Sequence, residues 1–171
     1  IISKEDNKMQ VTLEILELSA VKRKLEEIGQ NISNTAPLMN EMGQYLATMT
    51  RDSFDEKKDP NGRNWSPLSN ATIQKKLKKG KPNKLLFQEG DLQDRFIYHI
   101  EENKIVIGTN ANNDGFLYPA VHQFGTDNAW GRGIKVEARA FMPITLDGKL
   151  YDNVENELER IVVDFVDSGL E

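Results

Sequence analysis

Few side chains in this chain are equipped for chemistry. There is no cysteine, which excludes disulfides, thiolate metal sites and a cysteine nucleophile. The two histidines are His99 and His122, and no H-E-x-x-H or other paired-ligand spacing surrounds either. Hydrolysis would need converging carboxylates or a nucleophile activated by histidine. His122 alone has a motif-like setting, but its neighbours Gln123 and Phe124 cannot orient an imidazole as a carboxylate would. It is expected to hydrogen-bond locally or to meet a neighbouring subunit; a pH-sensitive or ligand-binding role is the alternative. Asp55, Glu56 and Asp59 have the chemistry to gather a divalent cation, yet carboxylates at a helix end are ordinarily solvated. The expectation is a protein that is not an enzyme, with no cofactor and no metal.

The charges are more suggestive. Arg63 to Lys84 holds seven basic side chains and no acid, whereas the last twenty residues are strongly acidic. The run Lys75-Lys76-Leu77-Lys78-Lys79-Gly80-Lys81 contains no aromatic residue to stack on a base, and the whole chain carries a net charge of −5. Specific nucleic-acid binding is therefore not expected. Lys75, Lys76, Lys78 and Lys79 read either as a solvated helix face or as a patch that docks on an acidic surface. The acidic C-terminal segment (Asp152, Glu155, Glu157, Glu159, Asp164, Asp167) offers such a surface on a neighbouring copy.

The elements that position these residues follow from periodicity. Val11 to Ile15 alternates as a short strand, and a helix capped by Ser19 follows, with Leu25 and Ile28 on its apolar face. Leu38, Met42, Tyr45, Leu46 and Met49 recur every three or four residues, which predicts a helix from about Thr35 with one buried face and Phe54 closing its seam. Asp59-Pro60-Asn61-Gly62 has the residues of a tight turn. Trp65 is expected to anchor that turn on the core. Ser69 or Asn70 caps a short helix to Lys79, with Ile73 and Leu77 turned inward. Phe96 to Tyr98 and Lys104 to Gly108 read as a hairpin reversing at Glu102-Asn103. A short helix is predicted over Tyr118 to Phe124, a mobile surface loop over Thr126 to Gly133, and an edge strand over Lys135 to Ala140. Val154, Leu158, Ile161 and Phe165 mark an amphipathic C-terminal helix. The sum is an α+β fold: a small antiparallel sheet packed against N-terminal and C-terminal helices in a single domain. With 171 residues, 38% of them hydrophobic, the chain can bury a core, and no apolar run approaches the ~20 residues of a membrane span. The polar start lacks a secretory pattern. Residues 1–8 are expected to be an extension before a natural start at Met9, and 9–171 the domain.

Five blocks carry a resemblance. They are Asp59-Pro60-Asn61-Gly62-Arg63-Asn64-Trp65-Ser66-Pro67-Leu68, Leu85-Leu86-Phe87-Gln88-Glu89-Gly90-Asp91-Leu92, Ile105-Val106-Ile107-Gly108-Thr109, His122-Gln123-Phe124-Gly125 and Ala138-Arg139-Ala140-Phe141-Met142-Pro143. In this order the segment from Ile28 to Pro143 resembles the phage virion morphogenesis family, the tail-completion proteins of Mu-like and P2-like bacteriophages. None of the blocks encodes a reaction.

The resemblance implies a structural protein that completes the tail at the end that joins the head. Its implied partners are other copies of itself in a ring-like homo-oligomer and the tail tube or head–tail connector proteins. Its implied location is the virion, and the host bacterial cytoplasm during assembly. The interface candidates are Lys75, Lys76, Lys78, Lys79, His122, Gln123, Trp130 and Arg139. Trp130 joins them because its glycine flanks leave it little local means of burial. The rival reading is a small regulatory module that binds nucleic acid or a partner through the lysine-rich helix.

Overall fold

The computed structural model describes residues 2–3, 9–14, 35–86, 91–94, 96–101, 104–109, 118–129 and 131–168. Its longest element, α1 (Ala36–Glu56), has Pro37 in its first turn, where a missing N–H costs nothing. Leu38, Met39, Met42 and Leu46 are buried along one face, with Tyr45 and Met49 half-buried beside them and Phe54 closing the seam. The helix ends at Lys57, which adopts the left-handed conformation (φ 59°) and donates its N–H to the Ser53 carbonyl.

A four-stranded antiparallel sheet lies against α1, built from β1 (Ile2–Ser3), β2 (Met9–Glu14), β3 (Phe96–Glu101) and β4 (Lys104–Thr109) in the order β1-β2-β4-β3. Val11 and Tyr98 flank Ile107 from either side, and Glu101 pairs with Lys104. That last pairing places the reversal where it was expected, although Glu102 and Asn103 themselves lie outside the described residues. Central β4 is buried on both faces, while β3 alternates between half-buried Phe96, Tyr98 and Ile100 and exposed Ile97, His99 and Glu101, as an edge strand does. The C-terminal helix, numbered α5 below (Asp152–Ser168), turns Val154, Leu158, Ile161, Val162 and Val166 into the core and packs on α1. Asp152 and Glu155 in its first turn face the positive end of the helix dipole.

Between α1 and β3 come α2 (Asn70–Lys78) and the short α3 (Asp91–Asp94); between β4 and α5 come α4 (Tyr118–Phe124) and a hairpin of β5 (Thr126–Ala129) with β6 (Ile134–Val136). The α+β reading is correct. Three local expectations are not. The segment expected to be a mobile loop begins with β5, because Asn128 organises the turn: its carbonyl accepts from Gly131 N–H at 3.3 Å and its side-chain oxygen from Gly133 N–H at 2.8 Å. β6 then stops at Val136, short of the strand expected to reach Ala140. Leu77 does not face inward either; it is 58% exposed, and α2 has no buried residue. The helix predicted around Ser19 to Ile28 lies outside the described residues.

Close approach of α1 to β3 rests on Gly43. A Cβ there would lie 2.4 Å from Cε2 and 2.6 Å from Cδ2 of Tyr98. Gly43→Ala gains about 1 kcal/mol of helix propensity and incurs about 1–3 kcal/mol of overpacking against a ring that cannot fold away. The clash wins, so this variant will unfold at a lower temperature than the wild type. Adding Tyr98→Leu will recover part of the loss in the same melt. A Gly43→Ala protein more stable than wild type would contradict this packing.

Candidate functional site

The residues singled out in the sequence divide into a buried knot and an exposed basic arm. The knot forms around the side-chain amide of Gln123, which α4 turns inward together with Pro119 four residues earlier. Oε1 accepts from the backbone N–H groups of Phe141 and Met142, both at 2.9 Å, and Nε2 donates to the carbonyls of Met142 (3.2 Å) and Ile144 (3.0 Å). A primary amide has two hydrogens and one oxygen with two lone pairs, so its capacity is filled. Gln123 is therefore an internal tie; it has no polar group left for the interface expected of it.

Arg139, also an interface candidate, is 9% exposed and donates inward as well. Its Nε donates to the Ser66 carbonyl at 3.0 Å, its Nη2 to the Pro67 carbonyl at 3.2 Å, and its backbone N–H to the His122 carbonyl at 2.7 Å. Burial lowers its pKa from the ordinary value, but a guanidinium stays charged, so the carbonyls solvate a cation inside the fold. Trp65 is the expected anchor. Its indole N–H donates to the Ala140 carbonyl at 2.8 Å and its ring meets Phe54 edge-on at 5.6 Å. Gly125 (φ 71°) lets the chain turn back so tightly that a Cβ would sit 2.9 Å from Ala138 N and 3.0 Å from Val136 O.

His122 is half-buried beside this knot, its ring 6.3 Å from that of Tyr118. Its Nδ1 is buried without a hydrogen-bond partner among the described residues. Burial, and secondarily the Arg139 charge, lower its pKa to about 4, so the ring is neutral at neutral pH. Among the described residues, its unpartnered Nδ1 leaves the ring without the carboxylate that orients the histidine of a catalytic triad. Nearby, a cleft of about 260 Å³ opens between Asp59, Arg63, Phe124, Leu146 and Tyr151. Asp59 in it already accepts the Arg63 N–H at 2.8 Å, closing the Asp-Pro-Asn-Gly turn. Among the described residues no group of three His, Cys, Asp or Glu side chains is placed to hold a metal ion, and no helix is long and apolar enough to cross a membrane.

The basic arm is α2. Ser69 caps it by accepting the Thr72 N–H, and the two carbonyls held by Arg139 lie two and three residues before that cap. The knot thus fixes where the arm leaves the body. Lys75, Lys78 and Lys79 are exposed. Lys76 is not a free surface cation as expected: its ammonium donates to the Lys84 carbonyl at 2.6 Å and the Pro82 carbonyl at 3.3 Å, holding the turn after α2. Trp130 lies outside the described residues. The sequence reading missed the roles of Gln123 and Lys76. For Gln123 the available signal was its spacing of four from Pro119 on a helix otherwise apolar on that side; for Lys76 nothing local distinguished it from its neighbours.

Comparison with known proteins bears on this site. Residues 16–163 match the phage virion morphogenesis family. Among individual proteins, the "Mu-like prophage FluMu G protein 2" of Haemophilus influenzae is 25% identical over 135 residues, covering 79% of this chain and 85% of the relative. No solved structure matches.

Two measurements check the knot. Gln123→Ala strands two buried N–H groups and two carbonyls, each worth about 1–3 kcal/mol when left unpaired, so denaturant titration will show a loss of roughly 3 kcal/mol or more. Lys75→Ala will stay within about 0.5 kcal/mol of wild type; equal losses would contradict the assignment. For His122, the unfolded ring binds a proton near the ordinary histidine value of 6.5 and the folded ring near 4. Stability from this group is thus complete above pH 6.5 and is lost as pH falls from 6.5 to 4, by up to roughly 3 kcal/mol. His122→Gln will flatten the stability profile in that window.

Proposed function

Because the chain belongs to the phage virion morphogenesis family, we propose that it completes the phage tail at its head-proximal end so that head and tail can join. A role in phage virion assembly follows from the family itself; the tail end is the finer reading. The observation that carries it is the use made of three of the family-like blocks. The Trp65, Gln123 and Arg139 blocks spend their polar groups on one another's backbone. They build a rigid body, not a reaction centre, and a non-enzymatic subunit needs nothing else from them. A homo-oligomer seated on the tail tube or connector, carried in the virion and assembled in the bacterial cytoplasm, fits a body with a basic arm and an acidic C-terminal helix.

The regulatory-module alternative rests on the exposed Lys75, Lys78 and Lys79. It is weaker, because Lys76 is spent internally and no aromatic side chain interleaves the run.

Deletion of the gene from an inducible prophage tests the reading. Electron micrographs of the lysate should show filled heads and separate tails, and the wild-type gene supplied in trans should restore plaques. Infectious particles from the deleted strain without complementation would refute it.

A further inference from the structure

The basic arm presents an apolar side chain that stands exposed among the described residues. Leu77 is 58% exposed on a helix with no buried residue, and Lys75, Lys78 and Lys79 surround it in sequence within a stretch that has no acid from Arg63 to Lys84. A groove of about 310 Å³ elsewhere on the molecule has the opposite character. It runs between the last turns of α1 and the Asp59–Gly62 turn, with Tyr45, Met49 and Pro60 supplying apolar walls and Asp52, Glu56 and Asp59 supplying acids against one base, Lys58, which pairs with Glu56 at 2.8 Å. The neighbouring helix α5 is continuous with it: Asn153 donates to the Pro60 carbonyl at 2.8 Å, and Glu157, after burial, raises the pKa of the Tyr45 phenol. That helix carries six acids from Asp152 to Asp167 against one base, Arg160.

Resting on the proposed role as an assembly subunit, we infer that the protein associates head to tail, with Leu77 of α2 in one copy seated in the acidic groove beside α1 of the next. The outer face of α5 is a poorer receptor for the same arm. Its apolar side chains turn into the core, so it has no recess to take Leu77. The groove offers charge together with an apolar recess. Exposed ion pairs contribute little to affinity, whereas covering a leucine contributes more. Leu77 therefore sets the strength of the contact, and the lysines set its register and rate. The two surfaces differ, so the contact is heterologous and leaves each copy with one arm and one groove to extend the assembly.

Size-exclusion chromatography with light scattering on the full chain tests this, with circular dichroism to verify that each variant folds. The changed positions are exposed, so folding should be retained. Wild type is expected to form oligomers that persist as salt rises but assemble more slowly, because screening removes the steering by the lysines and leaves the Leu77 contact. Leu77→Asp, and separately the pair Asp52→Lys with Glu56→Lys, should weaken association by roughly tenfold or more. Mixing the two monomeric variants should give a one-to-one dimer and nothing larger, because one intact arm meets one intact groove. A wild type that stays monomeric at every concentration, variants that assemble like wild type, or a mixture that stays monomeric would each overturn the inference. So would duplex DNA bound through α2 by a monomeric protein. Plaque complementation separates this from the functional reading. A monomeric wild type that restores plaques overturns the contact alone, and an assembling protein whose deletion still yields infectious particles overturns the function alone.

Discussion

The fold depends on one constraint: residues 141–144 are at the centre of the core but belong to no regular strand. Phe141, Met142 and Ile144 are at most 1% exposed, so their backbone polar groups have no water to turn to and, apart from the isolated bridge of Ile144 with Leu150, no ladder to join. The Gln123 amide takes the place of a strand, giving two acceptor and two donor contacts from one side chain. Trp65 then satisfies the Ala140 carbonyl, and Arg139 reaches out from the same stretch to hold Ser66 and Pro67. Segments from three distant parts of the chain are fixed by polar contacts that no apolar substitute can replace.

This arrangement separates two jobs in one small body. The buried amide, indole and guanidinium secure geometry, while the surfaces that remain free are charged with opposite sign in different places. Arg139 links the two, since its grip on the residues before Ser69 sets the direction in which α2 leaves the core. A conservative exchange of that arginine for lysine would keep the charge and lose the fork that spans two carbonyls.

Much of the fold was legible because periodicity reports burial directly. The α1 stripe, the β3–β4 hairpin, the limits of α4 and the apolar face of α5 all follow from spacing. The failures have physical causes. Leu77 has the spacing of a core residue, but spacing cannot show whether anything packs over a helix. Asn128 captures glycine N–H groups through its side chain, and so turns a glycine-rich stretch that reads as loose into a hairpin. Gln123, Lys76 and Arg139 were read as surface polar groups, since their partners are backbone atoms whose positions only the tertiary fold supplies.

The sheet order has a temporal consequence. β2 pairs along its whole length with β4, so Val11 finds its partner Ile107 nearly a hundred residues later. A ribosome adding about 5–20 residues per second takes roughly 5–20 seconds to make that stretch, and pairings so distant in sequence close slowly. During that interval β2 has β1 to pair with but not its ladder to β4. The sheet against which α1 packs is therefore completed only after most of the chain has emerged, which makes the last-formed core, not the first helix, the step that decides when a subunit is ready.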